Sequence, residues 1–272
     1  MKKPQGSRIF MSRMNTLDIR DDDKFERSKR IKQLDLNRIH NANVLLIGAG
    51  ALGNEVGKNL VLSGYRNITV VDMDHIVKSN LNRCVYFSED DAEKKRKKAE
   101  VLAKKLNMSD NNVNAKYQIV KIQDLPEKFI ASFDIVFGCV DNIAARLHIN
   151  AHCYTHNIPY IDGGTDGLIG RVRVVIPPRT SCIECGMNDT HAKILEKRFS
   201  CTGSDTTFYE TKLAGEITTT SVIAAIQVRE ALKICSGIDS GLKNRIFYYD
   251  GLQCISEMLE IPINPECQHH KQ

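Results

Sequence analysis

A glycine-rich turn after a short apolar run is the first pattern in the chain that could do chemistry. The run covers residues 44–47, and the sequence GAGALG follows over residues 48–53. Such glycines let the backbone turn tightly, approach a phosphate and pack a helix against the preceding strand. The positions that would face a phosphate are Gly48, Gly50, Ala51 and Gly53. Asp72 follows Gly53 by 19 residues, near the spacing of about 20 expected for an acid that binds ribose hydroxyls.

A polar segment after this acid narrows the choice of nucleotide. The chain continues with DMD at residues 72–74 and SNLNR at residues 79–83. A nicotinamide dehydrogenase has no use for a fixed asparagine and arginine at this point. An enzyme that cleaves ATP between its α- and β-phosphates needs cations and polar groups there, because charge builds up on the α-phosphate. The segment therefore favours ATP chemistry over hydride transfer.

The glycine turn, the DMD sequence and the SNLNR sequence, in this order, resemble those of ubiquitin-activating enzymes and their ThiF-type bacterial relatives. Those bacterial relatives adenylate carrier proteins of molybdopterin and thiazole synthesis. The resemblance covers about residues 20–270, nearly the whole chain. It implies that Asp72 binds the ribose of ATP and that Asn80 and Arg83 contact the phosphates.

The resemblance also implies a phosphate-binding lysine in the sequence KKRKKAE over residues 94–100. The family pattern ends in lysine-alanine-glutamate, which favours Lys98. The glycine that usually precedes this lysine is missing and the segment is longer, so Lys95 is the alternative. A basic run can otherwise be a solvated helix face or a nucleic-acid patch.

An acid and an amide follow another buried strand. Residues 135–138 are apolar, and Asp141 and Asn142 come just after them, where an open parallel sheet places its ligands. The resemblance implies that Asp141 binds Mg²⁺, which neutralises the leaving pyrophosphate. The alternative is that Asp141 caps the helix that begins near Ile143.

Four residues from two distant segments are candidate zinc ligands. Cys182 and Cys185 form a C-x-x-C pair, and Cys267 with His270 forms a C-x-x-H pair near the C-terminus. Three thiolates and one imidazole make a closed set typical of structural zinc. The family more often ends in a second C-x-x-C pair, and His269 is a weaker candidate than His270.

Cys201 is the candidate nucleophile. It lies in the polar sequence RFSCTG over residues 198–203, and the resemblance implies that this cysteine begins a crossover segment, residues 186–217, and carries a thioester. A partly ionised thiol is a good nucleophile at neutral pH. A buried or incidental cysteine is the alternative. The other cysteines are expected to be core or incidental residues, and they are Cys84, Cys139, Cys153, Cys235 and Cys254.

An N-terminal arginine completes the implied site. Residues 24–28 read KFERS, similar to a family element whose arginine reaches across a dimer interface to the partner's ATP. Arg27 would be that residue, and residues 1–40 would form an arm or helix at the interface of a homodimer. An exposed helix arginine is the alternative.

The elements that must position these residues follow an alternating pattern. Strands are expected at 44–47, 68–71, 116–122, 135–138 and 160–161, with helices from 51 to about 62, over 89–106 and over 143–156. This order predicts an α/β fold with a doubly wound, mostly parallel, Rossmann-like sheet. Strands at 171–176, 245–249 and 256–261 and a helix over 219–234 predict a mixed, antiparallel end. Residues 41–272 would form a single adenylation domain.

Composition limits the class of protein. Of 272 residues, 42% are hydrophobic and 26% are charged, which argues against general disorder. A net charge of +5 is too small to indicate nucleic acid. No apolar run approaches the roughly 20 residues of a membrane span, and no export signal is evident. Nine cysteines, an odd number, suit metal binding or catalysis better than a disulfide framework. A cytoplasmic location is expected.

These features predict an enzyme that activates a ubiquitin-like protein ending in Gly-Gly. ATP and Mg²⁺ would adenylate the carrier's C-terminal carboxylate, Cys201 would take it as a thioester, and a conjugating enzyme would receive it. The alternative is adenylation of a sulfur carrier for molybdopterin or thiamine synthesis, with a persulfide at Cys201 or no essential cysteine. A carrier-binding subunit without activity and a nicotinamide dehydrogenase are weaker hypotheses.

Overall fold

The computed structural model describes residues 23–187 and 214–271. The chain divides into two compact units, Met1–Lys32 and Gln33–Gln272. The first unit contains the short helix α1 (Glu26–Lys29). The predicted interface role of residues 1–40 stays a prediction.

In the described part of the second unit, eight strands form one sheet in the order β3-β2-β1-β4-β5-β6-β7-β8. The pairs from β3 to β5 are parallel, and those from β5 to β8 are antiparallel. The strands are β1 (Asn43–Ile47), β2 (Asn67–Val71), β3 (Asn114–Gln118), β4 (Ile135–Gly138), β5 (Tyr160–Asp166), β6 (Ile169–Val175), β7 (Arg245–Asp250) and β8 (Ile255–Glu260). The topology confirms the predicted doubly wound sheet with an antiparallel end.

Helices cover both faces of the sheet. They are α2 (Leu36–Asn41), α3 (Ala51–Ser63), α4 (Glu89–Glu93), α5 (Lys98–Ser109), α6 (Ile143–Thr155) and α7 (Ile217–Cys235). Along β1, Val44 and Leu46 belong to the core cluster that includes α3, α5 and α7, whereas Leu45 and Ile47 belong to the cluster that includes α6. Successive strand residues point to opposite faces, so a continuous apolar run is what a sheet buried on both sides requires.

The charged helix predicted over 89–106 is wrong as a single element. Ser88 caps the start of α4 by accepting a hydrogen bond from the Asp91 amide, and this helix ends at Glu93. Lys95 then has a left-handed φ of 46°, which ordinary helix residues do not adopt. The ion pair between Arg96 and buried Asp91, at 2.7 Å, holds this turn. The next helix, α5, therefore begins as a separate element at Lys98.

Two strands also differ from prediction. Strand β3 ends at Gln118 rather than 122, and β5 continues to Asp166 rather than 161, because it pairs along its length with β6. Among the described residues, no helix is long and apolar enough to cross a membrane.

Candidate functional site

The glycine turn joins β1 to α3, and two of its glycines leave no room for a side chain. Gly48 has a φ of 95°, and a Cβ there would lie 2.4 Å from the Cys139 carbonyl oxygen. A Cβ at Gly53 would lie 1.9 Å from the Gly48 carbonyl oxygen. A Cβ at Gly50 would meet no atom within 4 Å. Gly50 is the N-cap of α3, and no side chain among the described residues caps this helix start. The helix start is thus open to an anion, which helix N-termini favour.

Asp72 lies directly beside this turn. Its carboxylate accepts hydrogen bonds from the amides of Ala49 and Asp74, each at 2.7 Å. Burial raises the pKa of Asp72, whereas the positive charge of Lys98 and the two amide bonds act in the opposite direction. The sheet therefore holds a carboxylate at the end of β2, next to the glycine turn at the end of β1.

Of the two candidate lysines, Lys98 is the one linked to this acidic segment. Its Nζ lies 2.8 Å from Asp74 Oδ2, and its amide donates to the Asp74 carbonyl at 3.0 Å. The Lys98 side chain is only 13% exposed. Lys95 is exposed in the turn between α4 and α5. The structure therefore groups Lys98 with Asp72 and Asp74.

Of the two residues predicted to contact the phosphates, Asn80 ends a short 3₁₀ turn, Lys78–Asn80, and Arg83 follows three residues later. Asn80 Oδ1 accepts a hydrogen bond from the Val77 amide at 3.0 Å, which closes the turn. Arg83 donates to the Ser79 carbonyl and to Asn82 Oδ1. A Cβ at Gly215 would lie 2.9 Å from Arg83 Nε, so Arg83 lies against the chain just before α7.

Asp141 is exposed after the carboxyl end of β4. The alternative role of Asp141 as the cap of α6 is wrong, because Asn142 caps this helix by accepting from the Ala145 amide at 2.8 Å. The Asp141 carboxylate is therefore at the same edge of the sheet as Asp72 and is not needed to start the helix.

Sequence reasoning missed Asn54, which links the glycine turn to the segment just after Arg83. Asn54 is fully buried in α3. Its Nδ2 donates to the carbonyls of Ala49 and Gly50 at 3.0 Å each, and its Oδ1 accepts from the Tyr86 amide at 3.1 Å. A polar residue among the apolar positions of α3 was the available signal.

Sequence reasoning also missed a buried ion pair beside the loop that carries Asp141. Arg146 of α6 pairs with Asp162 of β5, and both side chains are at most 7% exposed. Arg146 also donates to the carbonyls of Val140 and Gly163. Burying these charges is tolerable because they are paired and hydrogen bonded. The pair fixes the backbone that presents Asp141.

Gln227 of α7 hydrogen bonds to the same sheet edge from the face opposite α6. Its Nε2 donates to the carbonyls of Gly138 and Ile161, at 3.2 and 3.1 Å. A Cβ at Gly163 would lie 2.4 Å from Gln227 Oε1. The helix that follows the crossover segment is thus anchored to β4 and β5.

A second group of chemically active side chains lies elsewhere. The ligand atoms of Cys182, Cys185, Cys267 and His270 all lie within 4.8 Å of one another. The Sγ atom of Cys182 is 3.9 Å from that of Cys185 and 3.5 Å from that of Cys267, and Cys185 Sγ is 3.5 Å from His270 Nδ1. Tetrahedral zinc with Zn–S bonds of about 2.3 Å separates its sulfur ligands by about 3.8 Å. The donor set and spacing fit such an ion.

Neighbouring groups orient this cluster. His270 Nε2 lies 3.1 Å from the Thr180 carbonyl oxygen, which leaves Nδ1 facing the thiols. His269 Nε2 instead lies 2.9 Å from Glu184 Oε1. Burial and the neighbouring thiols raise the pKa of Cys182 to about 12. Because metals bind the thiolate, an ion would have to displace this proton.

Two predicted residues are not placed in either group. Cys201 lies outside the described residues, and Arg27 lies on α1 in the other compact unit. Of the other cysteines, Cys84 and Cys153 are buried, Cys139 and Cys235 are partly buried, and Cys254 is exposed. Burial raises the pKa of Cys84 to about 11.

Comparisons with known proteins identify the family of this chain and several relatives. The model of the ThiF family matches residues 21–269. The NEDD8-activating enzyme E1 catalytic subunit of Dictyostelium discoideum is 42% identical over 158 residues, 53% of this chain and 35% of that protein. The SUMO-activating enzyme subunit 2 of the same organism is 37% identical over 156 residues, 56% of this chain and 23% of that protein. The matches thus span about a third or less of these relatives.

Solved structures share the fold. E. coli MccB with ATP superposes with a TM-score of 0.74 at 22% identity, over 93% of this chain and 75% of that chain. E. coli MccB with AMPCPP and MccA superposes with a TM-score of 0.69 at 26% identity, over 86% of this chain and 68% of that chain.

Proposed function

Because the chain belongs to the ThiF family, we propose that it adenylates the C-terminal carboxylate of a ubiquitin-like protein. The carboxylate oxygen attacks the α-phosphorus of ATP, the bond to the β-phosphate oxygen breaks, and pyrophosphate leaves. The observation that carries this proposal is the convergence of Asp72, Lys98 and the open start of α3 at one edge of the sheet. Relatives named as SUMO- and NEDD8-activating subunits support the choice of carrier.

The nucleotide would lie across the ends of β1, β2 and β4. The backbone at Gly48, Gly50, Ala51 and Gly53 would face the phosphates, with Asn80 and Arg83 on the other side. Asp72 would bind the ribose hydroxyls, as its place beside the glycine turn supports. MccB solved with ATP has the same fold.

Lys98 would change partners when ATP binds. In the described structure its Nζ is paired with Asp74, which is an exposed carboxylate and so a weakly held partner. A triphosphate oxygen carries more charge and would compete for this ammonium group. Lys98 and Arg83 would then stabilise the charge that develops on the phosphates in the transition state.

Asp141 would hold Mg²⁺, which when bound neutralises the leaving pyrophosphate. A carboxylate suits this ion because Mg²⁺ prefers oxygen ligands and retains several waters. The exposure of Asp141 leaves room for those waters. Arg146 and Asp162 would keep the carboxylate in place from below.

Cys182, Cys185, Cys267 and His270 would bind a structural zinc ion. Four protein donors in tetrahedral spacing leave no open position for a substrate. The ion would fasten the C-terminal residues to the segment after β6, and it would take no part in adenylation.

Cys201 would accept the activated carrier. Its thiolate sulfur would attack the acyl carbon, forming a thioester and releasing AMP, before transfer to a conjugating enzyme. Arg27 would act across a homodimer on the partner's ATP. The second candidate function is sulfur-carrier activation, favoured by the short stretch of about 30 residues between Cys185 and Thr218, which is too short for a separate cysteine domain.

The test is carrier-dependent exchange of labelled pyrophosphate into ATP, with a non-reducing gel run on the same reaction. We expect exchange in the wild type and in Cys201→Ala, because adenylation needs only the nucleotide site. A thiol-sensitive carrier adduct should form in the wild type and in the control Cys254→Ala, and it should be missing in Cys201→Ala.

Three results would change the proposal. Wild-type protein without exchange for any Gly-Gly carrier would overturn adenylation. An adduct that persists in Cys201→Ala would assign the nucleophile to another cysteine. An adduct that needs an added sulfur donor would select the sulfur-carrier alternative.

A further inference from the structure

A second cluster of side chains that could hold a metal ion lies outside both sites described above. It consists of Glu127, His152 and His156, whose ligand atoms all lie within 4.8 Å of one another. None of these residues belongs to the sheet edge with Asp72, Lys98 and Asp141 or to the cysteine cluster. We name it the helix-end cluster.

Helix geometry brings the two imidazoles together. His152 lies in the last turn of α6 and His156 is its C-cap. Residues four apart lie on the same helix face, which is the spacing at which one helix supplies two metal ligands. The C-terminal end of a helix carries partial negative charge and so favours a bound cation.

Glu127 arrives from a different element. It begins the 3₁₀ segment Glu127–Ser132, and this segment packs on α6 through Phe129 and Ile130. Glu127 and His152 line the same shallow groove. Because Glu127 is exposed, its carboxylate can rotate toward the imidazoles at little cost. A cation here would join the helix end to the 3₁₀ segment.

An unsatisfied atom points to a ligand at this place. His156 Nε2 is buried and has no hydrogen-bond partner, and among the described residues only Asn150 Nδ2 shares this state. Buried polar atoms nearly always have partners, because leaving one unpaired costs about 1–3 kcal/mol. A metal ion bound to Nε2 would satisfy it.

A third histidine lies on the same face of α6. His148 lies one turn before His152 on α6, and the two rings are 4.3 Å apart. His148 is not a member of the helix-end cluster, and it therefore provides a matched control on the same helix face.

We propose that the helix-end cluster binds a divalent transition-metal ion such as Zn²⁺. Two imidazoles and one carboxylate are ligands that suit Zn²⁺, Co²⁺ and Ni²⁺. Three protein ligands leave at least one position to water, in contrast to the closed set at Cys182. The ion serves as an exchangeable clamp between α6 and the 3₁₀ segment, and its binding is weaker than that at the cysteines.

The experiment titrates purified full-length protein, with the cysteine cluster already loaded with zinc, with Co²⁺ against a chromophoric chelator. We expect one Co²⁺ per chain without the strong thiolate charge-transfer absorption that cobalt at the cysteines would give. Glu127→Gln, His152→Ala and His156→Gln should each weaken binding by at least about 10-fold. His148→Gln, on the same helix face, is the matched control and should bind as the wild type does.

The same samples are then melted with and without added Zn²⁺. Added metal should raise the Tm of the wild type and of His148→Gln, but not that of the three cluster variants. Retention of zinc at the cysteines shows that each variant is folded. The proposal is overturned if the wild type binds no additional Co²⁺, or if all three variants bind it with wild-type affinity.

Discussion

Two regions collect residues that are far apart in sequence, but they hold them differently. One is the sheet edge with Asp72, Lys98 and Asp141, where we propose that ATP binds (the nucleotide edge), and the other is the cysteine cluster. At the edge, Lys98 is paired with the exposed carboxylate of Asp74, and Asp141 is itself exposed. In the cluster, Cys182 and Cys267 are buried, and His270 is oriented by the Thr180 carbonyl. One region keeps charged groups with exchangeable partners, which suits the proposed catalysis, and the other buries two thiols and orients its imidazole, which suits the proposed structural zinc.

Buried side chains hold the backbone that carries the exposed groups of the nucleotide edge. Asn54 fixes the glycine turn, and the pair of Arg146 with Asp162 fixes the backbone before Asp141. Preorganised support of this kind lets the groups above it act without rearranging during the reaction. In the cysteine cluster the candidate ligands Cys182 and Cys267 are themselves buried, and the Thr180 carbonyl orients His270 directly.

The largest expected effect is a loss of pyrophosphate exchange activity when a residue of the nucleotide edge is replaced. Arg83→Ala should lower carrier-dependent pyrophosphate exchange by about 10²–10³-fold, or about 2.7–4 kcal/mol, because a charge contact to the transition state is lost. Arg245→Ala, at an exposed arginine of β7, is the control and should retain exchange. Steady-state exchange rates and melting curves of both variants provide the measurement. Normal exchange in Arg83→Ala would remove this residue from the mechanism.

The next largest effect is a loss of fold stability when two residues of the cysteine cluster are replaced. Cys182→Ser combined with Cys267→Ser should abolish tight zinc binding and destabilise the fold by roughly 2–3 kcal/mol, which lowers Tm by about 4–12 °C. Exchange activity of the remaining folded protein should stay within a few-fold of normal. Elemental analysis, calorimetry and exchange on one preparation test this. The pair Cys153→Ser with Cys254→Ser is a control that leaves the zinc content unchanged.

The smallest effect probes the exchangeable partner of Lys98. Asp74→Asn should lower the KM for ATP by at most about fivefold, because a partly exposed ion pair is worth only about 0.2–1 kcal/mol. Lys98→Ala should raise the KM and lower kcat, whereas Lys95→Ala should change neither. A higher KM in Asp74→Asn would show that this carboxylate binds the nucleotide itself.

The local sequence determined the strands, the glycine turn and the acid after β2. An apolar run, a tight turn and a helix start depend on neighbouring residues, so their order was sufficient to predict the parallel sheet and its antiparallel end. Gly48 and Gly53 are cases in point, since contacts of 2.4 and 1.9 Å exclude any side chain at a turn that the sequence already indicated.

Only the tertiary structure decided how distant residues share partners. The chain after the break at Lys95 is held by a distant segment, because the Ile76 amide donates to the Arg96 carbonyl at 2.8 Å and the Lys98 amide donates to the Asp74 carbonyl at 3.0 Å. Burial of Asn54 is invisible locally, because its partner at Tyr86 lies 32 residues away. His270 rather than His269 faces the thiols because the Thr180 carbonyl occupies its other ring nitrogen. Long-range packing, not residue type, sets each of these contacts.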